Sequence, residues 1–235
     1  MLRALFKMFL AICVSLGLFG SMTVVAYAEE PAGAQIELLS VRTKSDYPEN
    51  EVEIEYAEDE ATNTFTAIVR DAESGEVLER FTETPDIPIA ELRAIKGGDA
   101  ATYAAHNYNT TLARTVNTDV TVGGTVVKAY TWVDINVTAD SSWAQIERVN
   151  AKGHQTGGSG AYNLEQARTT VRTTRFPTNT VLLEIHGMVA ITNTSTLGLS
   201  FGFLKAAGFE MYGEVSTSWT ARKPYSNRSI SFSVM

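Results

Sequence analysis

Cysteine is nearly absent: the chain of 235 residues holds one, Cys13. No intrachain disulfide can form, so the fold must be held by a buried core. The three histidines, His106, His154 and His186, are far apart, and neither H-x-H nor H-E-x-x-H occurs. That excludes the common zinc spacings. No G-x-x-x-x-G-K-[ST] phosphate loop is present, and no long stretch of helical periodicity stands out. No cofactor is therefore expected, and no catalytic residue can be named from a motif.

What the chain does have begins at its start. Arg3 and Lys7 precede an apolar run from Met8 to Phe19, and Ala26-Tyr27-Ala28 follows. A basic end, an apolar middle and an A-x-A ending are the parts of a secretory signal peptide. The expectation is cleavage after Ala28 and an extracellular mature chain. Cys13 leaves with the signal. An exported chain without cysteine fits a bacterial source better than a eukaryotic one.

Charge is uneven. Residues 29–99 carry 19 acidic and 6 basic side chains, and residues 100–235 carry 8 and 11. The acidic part argues against nucleic acid as a partner, since phosphate would be repelled. The split also suggests an organisation: signal 1–28, an irregular lead-in over 29–50, an acidic module over 51–99 and a larger domain over 100–235.

Within the acidic module, Glu51-Val52-Glu53-Ile54-Glu55-Tyr56 alternates charged and apolar residues. That is the two-residue period of a half-buried strand. Phe65, Ala67 and Val69 alternate likewise, and Asp71-Ala72-Glu73-Ser74-Gly75 supplies turn residues. Val77, Glu79 and Phe81 then share a face. The segment 51–82 is predicted to be a three-strand meander. Asp86-Ile87-Pro88 opens a short helix, with Ile89, Leu92 and Ile95 at helical spacing and Gly97-Gly98 at its end. The stretch from Glu53 to Leu92, with Val69-Arg70-Asp71-Ala72-Glu73-Ser74-Gly75-Glu76-Val77 at its centre, resembles the small core of the flagellar FlaG-type family. The likeness covers about forty residues and carries no function across.

In the larger part, Leu112, Val116, Val120 and Val122 share a parity, and Gly123-Gly124 suits a two-residue hairpin turn. Val127, Ala129, Thr131, Val133, Ile135 and Val137 face one way; Lys128, Tyr130, Trp132, Asp134 and Asn136 face the other. Trp143–Val149 reads as a short strand or helical turn, Lys152–Gly160 as a loop, and Gln166–Phe176 as a polar strand. Val181, Leu183, Ile185, Val189 and Ile191 alternate, as do Leu197, Leu199, Phe201 and Phe203. Ile230, Phe232 and Val234 close the chain against serines. The expected class is all-β: an antiparallel sandwich, or a barrel-like variant, preceded by the small acidic meander and helix.

Six constellations bear on function. Tyr130, Trp132, Tyr212 and Tyr225 are the candidate binding residues, as an exposed aromatic surface for an envelope polymer or another protein. Glu184 and His186 share a strand face and are compatible with two ligands or an acid–base pair, but the neighbour Met188 and the strand's position point instead to an ordinary polar face. Glu184 with Glu147 is the candidate carboxylate pair of a hydrolase. Glu58-Asp59-Glu60 offers oxygens to Ca²⁺ yet lacks the spacing of a known loop. Gly157-Gly158-Ser159-Gly160-Ala161 misses the G-x-S-x-G elbow by one residue and lacks the strand that must precede it. The Thr/Val-rich hairpin Thr110–Thr138 and the polar strand Gln166–Thr174 have lengths that suit a membrane-inserting barrel. The leading expectation is a secreted, non-enzymatic binding protein, with a pore-former and a hydrolase as alternatives. N-terminal sequencing of the secreted protein should begin at Glu29; recovery of Met1 on the exported chain would overturn the signal assignment.

Overall fold

The computed structural model describes residues 33–97, 105–154, 162–192, 199–214 and 218–235. Two antiparallel sheets pack face to face as an all-β sandwich. Strands β1 (Gly33–Glu37), β2 (Val41–Pro48), β9 (Asn163–Val171), β10 (Thr180–Thr192), β11 (Glu210–Glu214) and β12 (Ser218–Val234) build the first sheet. Its order is β1-β2-β12-β10-β9, with β11 also on β12. The second sheet is a simple meander: β3 (Val52–Asp59), β4 (Thr64–Asp71), β5 (Val77–Pro85), β6 (His106–Val122), β7 (Thr125–Ala139) and β8 (Ala144–His154).

The two-residue period is the cause of this architecture. Val127, Ala129, Thr131, Val133, Ile135 and Val137 are all buried along β7, as are Val181, Leu183, Ile185, Val189 and Ile191 along β10. Their faces meet in one continuous apolar cluster. Gly123 and Gly124 both take positive φ, 59° and 84°, so β6 and β7 are joined by a tight turn whose twist matches the strands.

The acidic meander forms as expected. Asp59 accepts the N–H groups of Ala61 and Thr62, and Asp71 those of Glu73 and Ser74, so each carboxylate closes its turn. The helix α1 (Ile89–Gly97) buries Ile89, Leu92 and Ile95. Asn63 fixes its entry: the side chain donates to the carbonyls of Pro85 and Ile87 and accepts from the N–H of Ile89. The charge division near residue 99 is not a division between sheets, however. Strand β5 pairs with β6 from Arg80↔Thr115 to Pro85↔Thr110, and Ala32–Met235 form one compact unit.

Three segments depart from their sequence readings. Residues 33–48, expected as irregular lead-in, form the β1–β2 hairpin. Ala34, Ile36 and Leu38 point inward, then Val41, Thr43 and Ser45; the last two are polar, which hides the period. Leu199–Phe203, expected as a strand, instead leads into helix α2 (Phe201–Ala206). Ser200 caps it by accepting the N–H of Phe203, and Leu204 is the buried contact. Lys152-Gly153-His154, expected as loop, is the end of β8; residues 155–161, including the Ser159 motif, lie outside the described residues.

The last strand is central. It pairs with β10 over Thr180↔Ser233 to Thr192↔Thr220 and meets β2 at Ser233↔Arg42 and Val234↔Val41. Ile230 and Phe232 are fully buried. Deleting residues 230–235 should abolish cooperative unfolding, and Phe232→Ala should cost about 3–5 kcal/mol. Thermal melts followed by near-UV circular dichroism test both; a truncated chain that melts cooperatively would refute the placement of β12.

Candidate functional site

The four candidate aromatics do not converge. Tyr130 and Trp132 lie on the outer face of β7, in the second sheet, with Tyr130 36% exposed. The Trp132 ring lies flat against Gly153, where a Cβ would approach it to 2.7 Å. Tyr212 is in the first sheet, half-exposed, donating its hydroxyl to Glu210 at 2.7 Å beneath the Arg222 guanidinium. Tyr225 is no surface residue. It lies in the middle of β12, and the ring is 4% exposed in the core. It fills the space left by Gly187, whose Cβ would meet the Tyr225 hydroxyl at 2.5 Å, and burial pushes that phenol up to about 12.

The carboxylate candidates are engaged separately. Glu184 is ion-paired with Arg172, and Glu147 accepts from Gln145. They sit on β10 and β8, strands of different sheets, each beside buried neighbours and turned from the core. Glu58 pairs with Arg93 at 2.5 Å, and Asp59 is spent on its own turn. Among the described residues, no three His, Cys, Asp or Glu side chains are placed to hold a metal ion.

A polar seam between the sheets is the feature the sequence reading did not find. Strand β5 turns Glu79, Phe81 and Glu83 inward, and all three are fully buried. Glu79 receives Arg114 at 2.5 Å, the Ser45 hydroxyl at 2.6 Å and the N–H of Asp46 at 3.3 Å. Arg114, 2% exposed, also pairs with Asp46 at 2.8 Å and stacks over Phe81, 4.9 Å from the ring centre. Burial disfavours the guanidinium charge, but the two carboxylates outweigh it and hold Arg114 protonated. Four residues on, Glu83 receives the N–H of Ser40 at 2.9 Å and the hydroxyls of Ser40 and Thr110. Burial pushes both Glu79 and Glu83 above the ordinary carboxylate range, against the pull of these donors. Lys96, its own pKa lowered by burial, donates to the Leu39 carbonyl beside Glu83.

Above this seam the first sheet is open. Strands β2 and β12 pair at two rungs only, Ser233↔Arg42 and Val234↔Val41. Continued in the same register, Lys44 would face Ser231 and Asp46 would face Ser229, but the pairing stops. A groove of about 550 Å³ lies there, walled by Arg42, Lys44 and Asp46 on one side and Ser229, Ser231 and Ser233 on the other, with Arg114 at its floor. That volume is in the ordinary range for a ligand site, roughly 300–1,000 Å³. Every lining residue carries a polar group: three serines come from one strand, and the cations Arg42 and Lys44 from the other. The triplet Ser229-x-Ser231-x-Ser233 was visible as the outward face of the last strand. Nothing local marked β2 as the opposite wall, because the contacts of Ser45 and Asp46 that hold it there, with Glu79, reach more than thirty positions along the chain.

The seam has a testable consequence. Because Glu83 binds its proton more tightly folded than unfolded, the folded state holds more protons above pH 4.5, and stability falls as pH rises from there through the raised value. Glu83→Gln keeps an acceptor for Ser40 but cannot ionise. Urea midpoints measured from pH 4.5 to 8 should fall less steeply for the variant than for the parent; parallel curves would overturn the assignment.

No protein-family model, no curated protein and no solved structure matches the chain, so the likeness at 53–92 gains no support and the fold and groove stand on their own geometry.

Proposed function

We propose that this chain is an exported, non-enzymatic binding protein, and that its partner is an extended polypeptide segment laid between β2 and β12. The observation that carries the reading is the arrested pairing of those two strands. Each is paired on its far side, β2 with β1 at Arg42, Thr43, Lys44 and Pro48, and β12 with β10 along most of its length. On the near side, β12 pairs with β11 only as far as Arg222, so β2 over residues 43–46 and β12 over residues 229–232 present strand edges to one another without pairing. A peptide in extended form can bond to such edges through its own backbone, the β-addition mode of recognition. Side chains of alternate residues then reach the wall residues, since the period of the guest equals that of the host.

The rival readings have less to rest on. A hydrolase would need two carboxylates about 5–9 Å apart across a cleft; Glu147 and Glu184 belong to different sheets and different partners. A pore-former would need a hairpin free to leave the fold. The hairpin β6–β7 is instead the middle of the second sheet, paired with β5 and β8, and Val120, Val122, Val127 and Ala129 bury its far end. An aromatic polymer-binding face would need Tyr130, Trp132, Tyr212 and Tyr225 together.

The test uses a blocked ten-residue peptide of alternating Thr and Val and the same peptide N-methylated at alternate backbone nitrogens. Amide chemical-shift changes on titration should centre on residues 42–46 and 229–233, and N-methylation on the bonding edge should weaken binding at least about tenfold, the worth of one or two lost backbone hydrogen bonds. Absence of binding by either peptide, or shifts confined to the outer face of β7, would overturn the proposal.

A further inference from the structure

The reading of the groove as a strand-binding slot is the ground for the next step. We infer that the slot selects an acidic strand, one with carboxylates at every second residue. Three observations point the same way. Arg42 and Lys44 are two of only 6 basic residues in a stretch with 19 acids, yet neither closes an ion pair among the described residues. Of the other four, Arg70 and Arg93 pair with Glu55 and Glu58, and Arg80 and Lys96 close no ion pair either, but only Arg42 and Lys44 line the groove. Glu37 stands opposite Arg42 in β1 without pairing to it. The one acid lining the groove, Asp46, is already committed to Arg114.

The floor adds charge rather than a free donor. Arg114 places both its ion pairs on Nη2, and its Nε, without a hydrogen-bond partner among the described residues, is buried from the groove. Ser229 and Ser231 supply hydroxyls from the other wall, and that of Ser233 is shared with Thr180. The groove is thus rich in donors and cations, with its only carboxylate occupied. Acceptor-bearing, negatively charged side chains complement it.

Spacing sharpens the inference. Arg42 and Lys44 are two residues apart on one strand face, so their stems leave the backbone roughly 6.5–7 Å apart. A guest strand repeats at the same interval. Carboxylates at its positions i and i+2 therefore meet the two cations together, and a lone acid would meet one. The chain's overall charge of −8 opposes an acidic partner at long range. At 0.15 M salt, fields are screened beyond about 8 Å, so contacts inside the groove decide the preference.

The experiment compares three blocked ten-residue peptides in 0.15 M salt by fluorescence anisotropy: Thr/Val alternation with two residues, spaced i and i+2, replaced by Glu, by Gln or by Lys. The Glu peptide should bind roughly tenfold more tightly than the Gln peptide, the gain expected of two partly exposed ion pairs, and the Lys peptide more weakly than either. In the double variant Arg42→Gln/Lys44→Gln the ratio of Glu to Gln affinities should fall to about one. Moving the two Glu residues to i and i+3 should forfeit most of the gain. Equal binding of the Glu and Gln peptides, or tighter binding of the Lys peptide, overturns the acidic preference and leaves the slot intact. Failure of all three peptides to bind overturns both. An unchanged Glu to Gln ratio in the double variant, whose substitutions are exposed and whose melting temperature verifies folding, removes Arg42 and Lys44 as the selectors.

Discussion

Everything on one side of this molecule depends on two carboxyl groups buried between its sheets. Glu79 and Glu83 lie on the inward face of β5, where the pattern of the strand calls for apolar residues, and they reach across to the β1–β2 hairpin. Ser40, Ser45 and the backbone of Asp46 donate to them. Asp46 in turn holds Arg114, and Tyr47 accepts from Asn117 of β6. The hairpin is therefore attached to the opposite sheet from below. That is why β2 can leave β12 after two rungs and remain in place: the strand is held by the seam, and the lateral ladder is free to open.

Such an arrangement is costly on its own terms. Burying ionisable groups carries a desolvation penalty that a single ion pair seldom offsets, and similar volumes of packed hydrocarbon are often as stable or more so. The network compensates by numbers. Glu79 has three donors and Arg114 two carboxylates and an aromatic face. Removing one member would strand the others, at a cost of about 3–5 kcal/mol. An apolar seam would hold the sheets together equally well, but it would not orient a guanidinium at the floor of a groove or keep Asp46 from neutralising the cations beside it. The energetic expense is intelligible as the cost of directing polar groups, which hydrophobic packing does not do.

How much of this was legible in the sequence follows from where each residue finds its partner. Strands β7 and β10 have unbroken inward alternation, and their apolar faces were assigned residue by residue. The turns at Asp71–Gly75 and Gly123-Gly124, and the helix spacing Ile89–Leu92–Ile95, are local signals and were read as such. The hairpin β1–β2 was not, because its inward positions Thr43 and Ser45 are polar; Ser45 serves the seam through Glu79, and the Thr43 hydroxyl has no hydrogen-bond partner among the described residues. The run Leu199, Phe201, Phe203 carried strand-like alternation, yet Ser200 at the N-cap and Leu204 four residues on decided for a helix. Tyr225 looked like a surface residue because Arg222, Lys223 and Pro224 precede it; Gly187, thirty-eight positions earlier, makes the hole it fills. The groove shares this character. Ser229, Ser231 and Ser233 were seen as the wet face of a strand, but Arg42, Lys44 and Arg114 become neighbours only through contacts distant in sequence.

Open strand edges also invite unwanted pairing, and native sheets commonly blunt them with charge. The two edges here carry opposite signs. Strand β3, at one border of the second sheet, alternates Glu53 and Glu55 with apolar residues, and the groove presents Arg42 and Lys44. Those signs favour attraction between copies, but the geometry resists it. Strand β3 is bonded to β4 along its length and has only one edge to offer, with a whole sheet attached behind it. The groove lies between two strands of the same sheet, and a guest must present an edge to each. A flexible or frayed segment satisfies that requirement; a border strand of a folded sandwich does not. The same cations thus serve both ends: they repel basic strands, offer little to neutral ones, and leave the slot to extended acidic chains that are free on both sides.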